Sequence, residues 1–167
     1  MERVDYMRYM ERCIELARLG PDSHVMWPYV GAMIVTPQGE VISEGFKRHL
    51  APGLDMHAER DAIEKAGINT RGNFLITTLE PCVKRSHNQL LSSCSDLISS
   101  SGIRLVAFGL FDKSPSMRRG AGINYLQTRG IETFYLRGFE NKIISELMGA
   151  RFNTGYTFKR DPEFLGR

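Results

Sequence analysis

Apolar positions recur at mainly helical spacing over residues 4–19, where Val4, Met7, Met10, Ile14, Ala17 and Leu19 predict an opening helix. Gly20-Pro21 stops it. The pattern then changes period. Val30-Gly-Ala-Met-Ile-Val35 is an apolar run that predicts a buried strand. Thr36-Pro-Gln-Gly39 is turn chemistry, and Glu40-Val-Ile-Ser-Glu-Gly45 predicts a second strand, so the two form a hairpin. Helical spacing returns from His57 to Ala66 and ends at Gly67. Phe74-Leu-Ile-Thr-Thr78 predicts a third strand, and Ser95 to Ser101 the end of a helix closed by Gly102. Arg104 to Leu110 predicts a fourth strand, Ile123 to Arg129 a short helix, and Glu132 to Leu136 a fifth strand. Residues 140–150 predict a last amphipathic helix. After the opening helix the order is β-β-α-β-α-β-α-β-α. That order implies an α/β fold with a mixed five-stranded sheet and helices on both faces. The later strands, separated by helices, should pair in parallel.

Composition narrows the class. A chain of 167 residues suits one domain, and 42% hydrophobic with 25% charged residues excludes disorder, collagen and coiled coil. The polar residues 157–167 read as a loosely attached tail to a domain spanning 1–156. No apolar run approaches the roughly 18–20 residues that span a bilayer. The first residues lack an apolar segment of the secretory kind, so no signal peptide is expected. A net charge of +3 permits a phosphorylated small molecule or an RNA partner and demands neither. Three cysteines argue against a disulfide framework, and a reducing cytoplasm is the expected setting.

Free thiols direct attention to His57-Ala-Glu59, Pro81-Cys82 and Cys94. One histidine and two cysteines have the softness that tetrahedral zinc prefers. They leave a fourth position for water, whose pKa zinc lowers to roughly 7. Glu59, two residues from His57, can lie near the metal without binding it and move a proton. Blander readings exist. His57 can be a polar residue at a helix start, with Glu59 a solvated acid of the first turn. Cys94 can be an ordinary buried cysteine, with His87 as the third protein ligand. A purely structural zinc would want a fourth protein ligand, and none is obvious. Cys13, among Met10, Ile14 and Ala17, reads as core.

His-x-Glu followed by Pro-Cys-x-x-Cys is the signature of zinc deaminases acting on nucleobases. Here its second cysteine is displaced, with the eleven residues Val83 to Ser93 between Cys82 and Cys94. Further stretches add to the likeness: Pro28-Tyr-Val-Gly-Ala-Met-Ile-Val35, Thr78-Leu-Glu-Pro-Cys82, Gly102-Ile-Arg-Leu-Val106, Gly120-Ala-Gly-Ile123 and Arg151-Phe152 with Thr154-Gly-Tyr156. Over residues 7–156 the chain resembles the cytidine deaminase superfamily, and within it the deaminase domain of riboflavin biosynthesis. The resemblance implies a three-layer α/β/α fold, zinc held by His57, Cys82 and Cys94, and proton transfer by Glu59. A stretched cysteine spacing is also typical of that group. The resemblance further implies a homo-oligomer whose neighbours help wall the pocket.

The chain departs from that group where a substrate would be read. Trp27 stands where the riboflavin deaminases usually carry Asn. Val83 to Ser93 replaces their Ser-His-x-Gly-Arg-Thr stretch, the segment Phe46 to Gly53 is longer, and no reductase domain is expected to follow. Trp27 can stack on a planar heterocycle or simply pack. Lys47, Arg48 and His49 form one basic cluster, and Lys84, Arg85 and His87 another; both are candidates for a ribose phosphate or plain solvated charge. Asn88 is a candidate for the base or sugar. Arg118-Arg119 reads as solvated surface. The implied activity is hydrolytic deamination of an aminopyrimidine nucleotide, the riboflavin-pathway diaminopyrimidine ribosylamino phosphate first among them. Adenosine in tRNA, a cytosine nucleotide or base, and a non-catalytic zinc-bearing binding module are the alternatives.

Overall fold

The structure is a computed structural model that describes residues 4–20, 28–52, 54–84, 91–113 and 117–148. Helix α1 (Tyr6–Ala17) opens the chain, with Asp5 accepting a hydrogen bond from Arg8 N–H as its cap. Strands β1 (Gly31–Val35) and β2 (Val41–Phe46) follow as the predicted hairpin. Gly39, at φ +92°, lets its turn close, a conformation that other residues rarely adopt. Next come β3 (Arg48–Ala51), β4 (Leu54–Met56), α2 (Ala58–Ala66) and a short 3-10 turn over Gly67–Thr70. Strand β5 (Phe74–Thr77), α3 (Cys94–Ser100), β6 (Leu105–Phe108), α4 (Ala121–Gln127), β7 (Glu132–Tyr135) and α5 (Glu140–Leu147) complete it.

The main sheet has the order β2-β1-β5-β6-β7. β1 is antiparallel to β2 and β5, while β5, β6 and β7 run parallel, as expected for strands joined through helices. Every residue of β1 and β5 is buried, which is why both read as continuous apolar runs. Two glycines set the layers. A Cβ on Gly31 would lie 1.9 Å from the Cys13 carbonyl oxygen of α1, and one on Gly45 would lie 2.4 Å from the Ala58 oxygen of α2. Gly45 pairs with Ala32, the neighbour of Gly31, so the two glycines face opposite sides of the sheet. α1 and α2 therefore cover opposite faces. α5 joins α1, because a Cβ on Gly109 would meet both Ile143 and Met10. α3 packs beside α2, and α4 beside α3. The result is the expected three-layer α/β/α arrangement around a mixed five-stranded sheet.

The differences from the sequence reading are local. Phe46 to Gly53, read as a long loop, holds most of a second small ladder, β3 against β4, with Arg48 opposite Met56 and His49 opposite Asp55. The helix whose end was read over Ser95 to Ser101 is α3 as a whole, which begins at Cys94 because Ser93 caps it, and α4 starts at Ala121 rather than Ile123. The end of the predicted last helix and the tail at 157–167 lie outside the described residues. Among the described residues no helix is long and apolar enough to cross a membrane.

Candidate metal centre and active site

The β3–β4 ladder ends one residue before the start of α2, and His57 occupies that junction. It is the N-cap of α2 in extended conformation, and its side chain makes no capping bond. The imidazole is thus free to turn away from its own helix. Cys82 lies beyond β5, on the stretch that leaves the sheet at Thr78. Cys94 is the first residue of α3, whose cap Ser93 accepts a hydrogen bond from Asp96 N–H. A backbone bond from Ser95 N–H to the Cys82 oxygen, 3.0 Å, ties that helix start to Cys82.

These three anchor points bring the three donors together. His57 Nδ1 lies 3.4 Å from Cys94 Sγ and 3.7 Å from Cys82 Sγ. All three donor atoms fall within 4.8 Å of one another. Tetrahedral zinc, with Zn–S near 2.3 Å and Zn–N near 2.0–2.1 Å, separates its N and S ligands by about 3.6 Å. The spacing and the donor chemistry therefore fit zinc. The Cys94 N–H also points at Cys82 Sγ, 3.4 Å away. Hydrogen bonding with Cys94, and secondarily with His57, outweighs burial and draws the Cys82 thiol down to about 4, so it is a thiolate at neutral pH. None of the three cysteines is in a disulfide, and Cys13 sits in the core as expected.

Glu59 is in the first turn of α2 and only 4% exposed. The Cys94 thiol donates to its Oε2 at 3.7 Å. Burial pushes the Glu59 carboxyl up to about 7; the charge of His57 opposes this and that of Cys82 adds to it. A carboxyl in that range both takes and gives a proton near neutral pH.

Residues 4–110 match the family described as the cytidine and deoxycytidylate deaminase zinc-binding region. The chain belongs to that family. Zinc is the cofactor of the group. The family's relatives include the diaminohydroxyphosphoribosylamino-pyrimidine deaminase of Buchnera aphidicola subsp. Schizaphis graminum, 34% identical over 123 residues, or 74% of this chain and 78% of that protein. The riboflavin biosynthesis protein RibD of Bacillus amyloliquefaciens is 40% identical over 124 residues, or 74% of this chain and 31% of that protein. Among solved structures, a diaminohydroxyphosphoribosylaminopyrimidine deaminase/5-amino-6-(5-phosphoribosylamino)uracil reductase from Thermotoga maritima superposes with a TM-score of 0.67 at 34% identity, covering 85% of this chain and 39% of that one. The chain thus spans about a third of the length of the RibD relative and four tenths of the solved one. The family membership and the riboflavin-deaminase likeness agree with the resemblance read from the motifs.

The basic cluster at 47–49 is divided. Arg48 pairs with Asp61 of α2 at 2.7 Å, and His49 Nδ1 meets Asp55 at 2.8 Å. At Lys47 burial lowers the pKa of the ammonium, and the charges of Asp55, Glu59 and Asp112 oppose that. Lys84 is exposed. Trp27, Arg85, His87 and Asn88 lie outside the described residues, so of the two candidates for third donor only Cys94 is seen at the site.

Sequence reasoning assigned no role to Glu80. Its buried carboxylate accepts from the backbone N–H groups of Asp112, Gly120, Gly122 and Ile123 at 2.9–3.4 Å. It therefore caps α4, whose own N-cap is Gly120, and clamps the segment after β6 beside Cys82. The only signal was its place between Leu79 and Pro81-Cys82. A cavity of about 600 Å³ opens beside Val83, with Arg118, Arg119, Asn124 and Tyr125 on its walls.

Proposed function

We propose that this chain is a zinc-dependent hydrolytic deaminase that replaces the exocyclic amine of an aminopyrimidine nucleotide with a carbonyl and releases ammonia. The observation that carries this reading is the meeting of His57 Nδ1, Cys82 Sγ and Cys94 Sγ beside one buried carboxyl, Glu59. Those three atoms would hold the zinc. Zinc, when bound, supplies the Lewis acidity that makes a water nucleophilic at neutral pH. Glu59 Oε2 takes the proton from the attacking water, holds it out of solvent, and delivers it to the ring nitrogen next to the reacting carbon. As the tetrahedral carbon collapses to a carbonyl, Glu59 takes the remaining proton from its hydroxyl and passes it to the departing amine, which leaves as ammonia. Burial serves both halves of that cycle, because it brings the carboxyl's affinity for a proton near neutrality. The Cys94 and Ser95 N–H groups keep the Cys82 segment in place.

The substrate we propose is the diaminopyrimidine ribosylamino phosphate of riboflavin biosynthesis, the compound class named in the Buchnera relative. Lys47, whose ammonium feels the charge of Glu59, would meet its negative or carbonyl groups, and Arg118 and Arg119 on the wall of the cavity beside Val83 would offer cations to its phosphate. The deciding experiment measures ammonia release by zinc-loaded protein from this phosphate, its dephosphorylated form, cytosine nucleotides and adenosine-containing tRNA. Release from the phosphorylated diaminopyrimidine, well above the others, is the expected result. Release from tRNA alone, or from none of them with zinc present, overturns the proposal.

A further inference from the structure

Eleven residues separate Cys82 from Cys94 in the sequence, an excursion along the chain long enough to leave the returning cysteine many places to fall. The excursion ends on a buried arginine. Arg60 follows Glu59 on α2 and is 6% exposed. Its Nη2 donates to the Ser92 carbonyl oxygen at 2.8 Å and to Ser92 Oγ at 2.9 Å. Its Nη1 reaches Glu64 Oε1 at 3.4 Å. Ser93, next in the chain, caps α3 through Asp96, and Cys94 follows with its N–H on Cys82 Sγ. An unbroken series of contacts therefore runs from the helix that carries His57 and Glu59, through Arg60 and Ser92, to the third sulfur.

Burying this guanidinium is unfavourable. Among the described residues its Nε has no hydrogen-bond partner, and the long contact to the half-exposed Glu64 compensates weakly. An aliphatic side chain would fill the same volume without that penalty. What an aliphatic residue lacks is the planar fork that spans Glu64 on its own helix and Ser92 on the incoming strand of chain. A lysine, with a single ammonium, reaches one of these and not both in the same geometry.

We infer that Arg60 is the positioning residue for Cys94: its grip on Ser92 holds the end of the excursion against α2, so that the third sulfur meets His57 and Cys82. This rests on the donor set proposed above. The test uses cobalt(II) in place of zinc, because thiolate-to-cobalt charge transfer in the near ultraviolet scales with the number of cysteine ligands. Cys94→Ser and Cys82→Ser serve as references, each expected to remove about half of that absorbance per bound cobalt. Arg60→Met is expected to move the spectrum toward the Cys94→Ser value and to weaken zinc binding about 10–100-fold in competition with a chelator. Arg60→Lys should fall between Arg60→Met and the parent. If Cys94→Ser removes half the band while Arg60→Met keeps the parent spectrum and zinc affinity, Arg60 does not position the cysteine. If Cys94→Ser leaves the band intact, the donor set itself is wrong and the inference falls with it. Melting of each chelated variant is followed in parallel, and if Arg60→Met does not fold, Arg60→Lys and Ser92→Ala are read by the same two measurements.

Discussion

The carboxylate of Glu80 meets four backbone N–H groups, whereas that of Glu59 meets a thiol and its own main-chain N–H. One is pinned as a structural acceptor; the other is left with little to hold its charge in a dry place. That contrast is why the proposed proton carrier is Glu59 and not Glu80. Glu59→Gln keeps size and burial but cannot carry a proton. It should lower ammonia release by about 10²–10⁴-fold while the chain still binds zinc, as checked by turnover and metal content on one preparation. Loss of zinc along with turnover would instead make Glu59 part of the binding site. A second buried acid acts on stability. Burial alone would raise the Asp61 carboxyl, but hydrogen bonds from Arg48, Lys65 and the Phe46 N–H outweigh it and hold the group below its ordinary range. Its folded pKa thus lies below the unfolded value near 3.9, so its contribution is complete above that value and disappears as pH falls through the folded one. Urea midpoints taken from pH 6 downward should show a shallower acid limb in Asp61→Asn than in the parent; parallel limbs would dismiss the pair of cations as idle. At this scale the sequence was readable where residue types are rare. His57 and Cys82 stood out by chemistry, whereas Cys94 competed with His87 until the family resemblance favoured it. Glu80 and Arg60 did not, because each acts on groups that only the folded chain brings near: α4 in one case, Ser92 in the other.

Elements show the same division. The strands were visible because burial on both faces removes polar residues from β1 and β5. The β3–β4 ladder was not, since Arg48-His-Leu-Ala51 is exposed for most of its length and carries no alternation. The Pro52-Gly53 pair in the sequence was the one available cue. The ladder also explains why three adjacent basic residues part company. Successive side chains in an extended strand point opposite ways, sending Arg48 to Asp61 of α2 and His49 to Asp55 on the neighbouring strand. The two helix-facing glycines yield a prediction that separates the faces of the sheet. A methyl at either position runs into helix backbone, which cannot move as a side-chain end can. Both Gly31→Ala and Gly45→Ala should therefore destabilise the fold by about 1–3 kcal/mol or more in denaturant titrations. Gly31 presses on α1, which carries no metal donor. Gly45 presses on α2 between Ala58 and Ala62, beside His57, Glu59 and Arg60. Gly45→Ala should accordingly weaken zinc binding as well, and Gly31→Ala should not. Equal effects on zinc would mean that the two layers are not separable.

In the whole molecule the three donors come from three places that the chain order keeps apart: the junction after the small ladder, the stretch beyond β5, and the start of α3. An ion shared among them would cross-link the α2–α3 layer to the C-terminal end of the sheet. The unfolded chain has no such site, so zinc binding and folding must be linked. At free zinc a hundredfold above its dissociation constant, the linkage stabilises the native state by about 2.7 kcal/mol. For a chain of 167 residues this amounts to a rise in melting temperature of roughly 5–10 °C over the chelated protein. Residual binding of zinc to cysteines in the unfolded chain would reduce the figure without changing its sign. The rise should grow with zinc concentration and saturate in none of the ordinary range, because mass action continues beyond half-occupancy. Removing one sulfur by Cys94→Ser should cut it sharply, since the remaining two donors bridge only α2 and the Cys82 segment. Calorimetric scans of the parent and of Cys94→Ser, each with chelator and at two zinc concentrations, measure all of this at once. A parent melting temperature indifferent to zinc and chelator alike would show that the three side chains meet for packing alone, and the hydrolytic chemistry would lose its centre.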